Sequence, residues 1–215
     1  MQWTFKRLLF VGAHLDDIEF GGGGLIAQRQ TEASIKLLAL SKHTRSAAGE
    51  IQIIRDTDEA YQAAKLLGVV SEDVHMENLD GQLFQRQQQE VREVLLSWRA
   101  KYDPDVVFCP SIRDIHQDHR VVAEEVCRIF RHQTCLGYEC VRSSLDFRPT
   151  LYVGISEDAL KKKIDAVLAY ESQLDERQSA AYYFSGELIR AVALHRGAQV
   201  AKELAEAFEV YFLNV

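Results

Sequence analysis

The first strand of the fold and the turn that leaves it are encoded in one stretch near the N-terminus, Leu8-Leu9-Phe10-Val11-Gly12-Ala13-His14-Leu15-Asp16-Asp17. The apolar run from Leu8 to Val11 predicts a short, fully buried strand. A helix that includes Leu25 to Gln30 follows it, and Ile35 to Leu40 forms a second apolar run. The sequence therefore begins with a strand, a helix and a second strand, a unit typical of parallel sheets.

The same alternation continues along the chain. Further strands are predicted at Val74 to Met76, Val106 to Cys109, Leu151 to Ile155 and Phe208 to Leu213. Helices are predicted where Ile53, Thr57, Ala60, Ala64 and Leu67 share one face up to Gly68, and at Arg86 to Lys101, Val121 to Phe130, Asp158 to Tyr170 and Glu187 to His195. This pattern predicts an α/β fold in one domain over residues 1–215, a Rossmann-like doubly wound, mostly parallel sheet with helices on both faces.

Composition and charge indicate a folded globular chain and exclude some classes of partner. Of the 215 residues, 47% are hydrophobic and 27% are charged, which is typical of a folded globular chain. The formal net charge of −7 argues against binding to a nucleic-acid backbone, because that binding depends on clustered Lys and Arg. We therefore expect no nucleic-acid partner.

Neither a targeting segment nor a membrane span is expected. The apolar residues after Lys6 and Arg7 are interrupted by His14 and Asp16, well short of a signal-peptide core. No uncharged apolar run approaches the roughly 18 residues that a spanning helix needs. The four cysteines form no C-x-x-C pair and are expected to be buried thiols, so we predict a cytoplasmic protein.

Polar residues cluster where two of the predicted strands end. His14, Asp16 and Asp17 directly follow the first strand, and the segment Asp114-Ile115-His116-Gln117-Asp118-His119 follows the strand at Val106 to Cys109. In the common strand order 3-2-1-4-5 these two strands are neighbours at the point where ligands bind open α/β sheets. Imidazole and carboxylate groups that converge there are the ligands a divalent metal prefers, so the sequence predicts a metal site.

Two arginines and a glycine run are further candidates for a functional or packing role. Arg55, on the predicted second helix, and Arg113, beside the histidine cluster, are candidates for holding a polar or anionic part of the substrate. The run Gly21 to Gly24 matches no phosphate-binding fingerprint, and we expect it to let the metal loop and the helix pack closely.

The two polar motifs resemble those of the PIG-L/LmbE family of zinc-dependent N-acetylglucosamine de-N-acetylases, whose members carry A-H-P-D-D and H-x-D-H. The matching residues are Ala13-His14-Leu15-Asp16-Asp17 and His116-Gln117-Asp118-His119, with weaker similarity at Asp80-Gly81, Gly137-Tyr138-Glu139, Tyr170-Glu171-Ser172-Gln173 and Ala205-Glu206-Ala207-Phe208. The resemblance implies removal of an acetyl group from an N-acetylated amino sugar. It also implies assembly into a homo-oligomer.

The resemblance assigns a role to each residue of the two motifs. His14, Asp17 and His119 would bind one Zn2+ per chain, although such a set also accepts Fe2+, Co2+ or Mn2+. Asp16 would be the general base, and His116 would steady the oxyanion. Asp118 would hydrogen-bond to His116, orient it and keep it protonated, and Arg55 would bind substrate. Leu15 replaces the proline of the family motif and so loses the fixed φ that would pre-organise the metal loop.

Three alternatives remain at this point. Two histidines and one carboxylate also describe the site of Fe(II) oxygenases, although a chain that alternates strands and helices differs from the β-rich scaffold of those enzymes. A nucleotide-binding module would fit the fold class but lacks its phosphate fingerprint. A catalytically silent relative that binds sugars or partners is the third alternative.

Overall fold

The structure is a computed structural model that describes residues 5–45, 51–52, 57–173 and 182–214. Its centre is a seven-stranded sheet, and β3 and β4 form a separate two-stranded antiparallel ribbon. The strands are β1 Arg7–Gly12, β2 Ser34–Ala39, β3 Thr44–Arg45, β4 Ile51–Gln52, β5 Val74–Met76, β6 Val106–Pro110, β7 Thr134–Tyr138, β8 Leu151–Gly154 and β9 Ala205–Phe212.

The strand order of the sheet is β5-β2-β1-β6-β7-β9-β8. The first five strands pair in parallel, whereas β9 runs antiparallel to both β7 and β8. Numbered without the ribbon, those first five follow the predicted order 3-2-1-4-5, with β1 and β6 side by side. The predicted class, a mostly parallel doubly wound α/β sheet, is confirmed.

Helices cover both faces of the sheet. They are α1 Asp17–Arg29, α2 Thr57–Leu66, α3 Gln88–Tyr102, α4 Gln117–Ile129, α5 Glu157–Leu168 and α6 Gly186–Ala198, and 3₁₀ turns lie at Ser71–Asp73 and Glu171–Gln173. One apolar core joins the sheet to α1, α2, α5 and α6, and a second core joins it to α3 and α4. Among the described residues no helix combines the length and apolar character required to cross a bilayer.

Most predicted elements are found within a few residues of their expected bounds, and the differences are the unpredicted ribbon of β3 and β4, strand β7 and the start of α4. Strand β7 is missing from the prediction because Thr134–Tyr138 is short and contains a glycine, so its apolar pattern is weak. Helix α4 begins at Gln117 and so includes part of the histidine cluster, rather than starting at Val121. Gly68 has a φ of 85° and ends α2 as predicted, whereas Ile53 lies outside the described residues.

The glycine run lies within α1, where it allows two close approaches to the sheet. A Cβ atom at Gly21 would lie 2.1 Å from the ring of Tyr138, and one at Gly22 would lie 2.5 Å from the ring of Phe10. Because real Cβ contacts are never this short, α1 can sit this close only with glycine at both positions. The interpretation of the run as a packing feature is confirmed.

Candidate active site

The two polar motifs meet at the carboxyl ends of β1 and β6. His14 lies in the loop between β1 and α1, Asp17 is the first residue of α1, and His119 is in the first turn of α4. The rings of His14 and His119 are 5.5 Å apart, and those of His116 and His119 are 4.4 Å apart. The predicted convergence of the two motifs is therefore present.

Asp17 lies between the two histidines and contacts both. Its Oδ2 atom is 3.3 Å from Nδ1 of His14, and its Oδ1 atom is 3.2 Å from Nε2 of His119. Burial would raise the pKa of Asp17, but the neighbouring rings of His119 and His14 hold it well below its usual value. Burial likewise would lower the pKa of each histidine, but the acidic groups around each ring, Asp17 foremost among them, together raise it above its usual value. An ionised carboxylate thus joins the two rings.

Each histidine also contacts a second carboxylate through its other ring nitrogen. Nε2 of His14 is 3.1 Å from Oδ2 of Asp118, and Nδ1 of His119 is 3.0 Å from Oδ2 of Asp114. Both acids are buried. A metal-binding histidine characteristically donates its outer N–H to a carboxylate, which fixes the tautomer and the ring orientation. His14 and His119 therefore have the carboxylate contacts of metal-binding histidines, and in each ring the other nitrogen faces Asp17.

The hydrogen-bond partners of the Asp118 carboxylate differ from the predicted partner, His116. This carboxylate accepts hydrogen bonds from His14 and from the backbone N–H groups of Gln82 and Phe84, rather than contacting the His116 ring. The backbone of Asp118 places it there, because its own N–H donates to Nδ1 of His116, the N-cap residue of α4. Asp118 is thus a positioning residue for His14.

His116 is neutral in this arrangement. Burial, followed by the neighbouring rings of His119 and His14, lowers its pKa to about 4. The predicted imidazolium is therefore not favoured. Since Nδ1 accepts the N-cap hydrogen bond, the proton of the neutral ring belongs on Nε2, and His116 lines the cavity described below. A neutral N–H donor remains available to an oxyanion.

Asp16 is buried, with only 5% of its surface exposed. It lines the same cavity as His14, Asp17 and His119. It occupies the N-cap position of α1, but its side chain makes no capping hydrogen bond to that helix. The loop is held in place without a proline, because Leu15 packs in the core and its carbonyl accepts a 2.6 Å hydrogen bond from Tyr170. These two contacts fix Leu15 in the loop between β1 and α1.

Sequence analysis assigned no role to two further residues of the site. Asp114 is 1% exposed, and it accepts hydrogen bonds from the hydroxyl groups of Ser143 and Ser144 as well as facing His119. Its position two residues before His116 was the available signal. Cys140, two residues beyond β7, forms a compact group with Asp17 and His119 in which one ligand atom from each lies within 4.8 Å of the others. The group His14, His116 and His119 meets the same criterion.

The two predicted substrate arginines have different outcomes. Arg55 lies outside the described residues. Arg113 is described, but it is not among the residues that line the cavity, because its guanidinium turns to Glu209 at 3.5 Å and to Asp146 at 3.8 Å. The structure does not bring Arg113 to the predicted site.

A cavity of about 830 Å³ opens over these residues. This volume is near the upper end of the roughly 300–1,000 Å³ typical of small-molecule sites. Polar groups line the end next to His14, while α6 contributes an apolar face from Leu188, Ile189, Val192 and Ala193. Arg196 also lines the cavity and is paired with Glu139 at 2.7 Å. The cavity therefore has room for more than the group that meets the histidines.

The fold and the site together define an α/β protein with a buried His/Asp site of the metal-binding type. A profile of the GlcNAc-PI de-N-acetylase family (PIG-L) matches residues 9–130, which is more than half of the chain and includes both polar motifs. The chain belongs to the PIG-L family.

Individual relatives agree with this assignment. The uncharacterized deacetylase YaiS of Escherichia coli (strain K12) is 28% identical over 174 residues, covering 78% of this chain and 91% of the relative. The N,N'-diacetylchitobiose deacetylase of Pyrococcus horikoshii has a similar structure, with a TM-score of 0.75, 20% identity and coverage of 96% and 84% of the two chains.

A third relative shows that this fold serves another reaction. GalB, the 4-carboxy-2-hydroxymuconate hydratase of Pseudomonas putida KT2440, superposes with a TM-score of 0.74 at 21% identity, with 98% of each chain covered. At 20% and 21% identity, the two structural likenesses establish the fold alone. The reaction must therefore be argued from the site.

Proposed function

We propose that this protein is a metal-dependent hydrolase that removes the N-acetyl group from an N-acetylglucosamine-like sugar or glycoconjugate and releases acetate and a free amine. The observation that carries the proposal is the arrangement around Asp17, in which two histidines are each oriented by a second buried carboxylate at the end of a large cavity. The membership of this chain in a de-N-acetylase family favours deacetylation over hydration.

His14, Asp17 and His119 would hold one Zn2+, with Fe2+, Co2+ and Mn2+ as other metals that such ligands accept. When bound, the metal would polarise the acetamide carbonyl and make water a stronger acid. Asp118 and Asp114 would keep the two rings in the tautomers that leave a lone pair for the metal.

Asp16 would transfer the proton, and His116 would stabilise the oxyanion. Asp16 lies beside the ligand set and would take a proton from the attacking water as its oxygen bonds to the carbonyl carbon. His116 would donate a hydrogen bond from Nε2 to the oxygen that becomes negative. Asp16 would then return the proton to the nitrogen as the C–N bond breaks, which leaves an amine and acetic acid, and the acid loses its remaining proton to solvent to give acetate.

Three further proposals concern the domain organisation, the assembly and the cellular location of the protein. We propose one deacetylase domain over residues 1–215, assembly into a homo-oligomer and a cytoplasmic location, which the four free thiols favour. A small molecule is the expected substrate because the cavity is of that size.

The test is a substrate panel that distinguishes amide hydrolysis from other reactions. Purified protein is incubated with N-acetylglucosamine, diacetylchitobiose and several N-acetylglucosamine glycosides, and acetate and primary amine are both quantified. Equal amounts of the two products from at least one sugar would support the proposal. Glucose acetate esters and an N-acetyl amino acid serve as controls for unspecific hydrolysis. No acetate from any sugar, with metal shown to be bound, would contradict it.

A further inference from the structure

Cys140 is the one cysteine of the described structure that lies in the active-site cavity. It lines the cavity and is 7% exposed. Its sulfur belongs to a three-residue group with Asp17 and His119, in which the ligand atoms all lie within 4.8 Å of one another. The other three free cysteines, Cys109, Cys127 and Cys135, are not part of either ligand group among the described residues.

His119 gives a second indication that this group can receive a cation. The residue is only 4% exposed, and both ring nitrogens are buried without a well-aligned hydrogen bond among the described residues. Oxygens of Asp17 and Asp114 face these nitrogens at 3.2 and 3.0 Å, so carboxylates bound the ring on both sides. A buried polar group without a well-formed hydrogen bond is costly, and a cation beside Nε2 would satisfy that nitrogen and Asp17 together while Asp114 remains the partner of Nδ1.

The backbone around Cys140 is fixed by the same carboxylate that orients His119. The carbonyl of Cys140 accepts from the N–H groups of Ser143 and Ser144, and its own N–H donates to the Ser144 hydroxyl at 2.9 Å. Both serine hydroxyls donate to Asp114, which faces His119. Because one network supports both side chains, their relative placement is pre-organised, as a metal site requires.

We propose that Cys140 is a metal ligand that acts together with Asp17 and His119, so that the site offers a thiolate-containing ligand set beside the set His14, Asp17 and His119. On binding, the thiol gives its proton to solvent and the sulfur donates an electron pair to the cation. The inference rests on the proposed function only in sharing its metal site.

A thiolate changes which metals the site prefers. Sulfur ligands favour Zn2+, Co2+ and Cd2+ over Mn2+, whereas nitrogen and oxygen ligands discriminate less between them. This chain should therefore bind Cd2+ and Zn2+ more tightly, relative to Mn2+, than a site made of histidine and aspartate alone.

Cobalt substitution tests the proposal without reference to activity. The metal-free protein is titrated with Co2+ and its absorption spectrum is recorded for the wild type, Cys140→Ser and Cys127→Ser. We expect a near-ultraviolet sulfur-to-cobalt charge-transfer band in the wild type and in Cys127→Ser, and its loss in Cys140→Ser, in which the visible cobalt bands persist. Far-ultraviolet circular dichroism of each metal-free variant verifies that it is folded.

Competition binding supplies a second readout. Cys140→Ser should weaken Cd2+ binding by at least the roughly 10–100-fold that loss of a supporting contact costs at metal sites, and should leave Mn2+ binding nearly unchanged. Cobalt bound without a charge-transfer band, or no cobalt bound, would overturn the proposal. Acetate release by a wild type that lacks the band would overturn only this inference, whereas a band in a protein that releases no acetate would overturn only the proposed function.

Discussion

Replacing Asp118 by asparagine is the sharpest structural perturbation of the site. The carboxylate is completely buried and accepts three hydrogen bonds, from Nε2 of His14 and from the backbone N–H groups of Gln82 and Phe84. In Asp118→Asn an NH2 group replaces one oxygen. At least one of these three donors then faces another donor instead of an acceptor.

The size of the effect follows from that geometry. One buried donor left without an acceptor costs about 1–3 kcal/mol, so the free energy of unfolding should fall by that amount. The His14 ring also loses the charge that fixes its tautomer, which at comparable metal sites weakens metal binding by roughly 10–100-fold. That loss corresponds to about 1.4–2.8 kcal/mol of binding free energy.

Two assays separate these effects. Urea unfolding of the metal-free protein measures stability, and competition with a chelator measures zinc affinity. Asp146→Asn is a matched control, because Asp146 is exposed and pairs with the exposed arginines Arg113 and Arg148, so both quantities should change by less than about 0.5 kcal/mol. If Asp118→Asn lost stability but bound zinc as tightly as the wild type, the assignment of Asp118 to orienting His14 would be refuted.

Three further substitutions test other parts of the structure. Asp16→Asn should lower kcat by about 10²–10⁴-fold while zinc content, measured by atomic absorption, stays at the wild-type level, and loss of the zinc would count against the role of general base. Lys163→Met should lower the free energy of unfolding in urea by about 3–5 kcal/mol, because the Nζ atom lies 2.6 Å from Glu206 and that buried carboxylate would lose its cation; an unchanged midpoint would contradict this. Gly21→Ala should cost about 1–3 kcal/mol, since the new Cβ meets the ring of Tyr138 at 2.1 Å, and a thermal transition at the wild-type temperature would argue against the close packing of α1.

The sequence predicts the parts of the fold that rest on local apolar patterns. The strands β1, β2 and β6 are fully or mostly buried, and apolar residues make up most of each. Strand β7 carries a weaker pattern and is defined by its pairing with β6 and β9, which no local signal reports. The antiparallel direction of β9 is likewise a tertiary property.

In the candidate site, too, the residues of local motifs are predictable from the sequence, whereas their tertiary contacts are not. His14, Asp17 and His119 come from motifs with fixed spacing, so the sequence identifies them and the strand order brings them together. Asp118 was identified but given the wrong partner, because only the turn at the start of α4 directs its carboxylate to His14 rather than to His116. Cys140 lies two residues beyond β7 and has no motif of its own, so only the packed structure shows its position.

The most direct test of the central claim is acetate release from an N-acetylglucosamine conjugate before chelation, after chelation and after zinc is restored. The account predicts release that chelation abolishes and stoichiometric zinc restores, with one amine formed per acetate. Release at an undiminished rate from protein shown to be free of metal would contradict it, because the His14, Asp17 and His119 set would then have no part in the reaction.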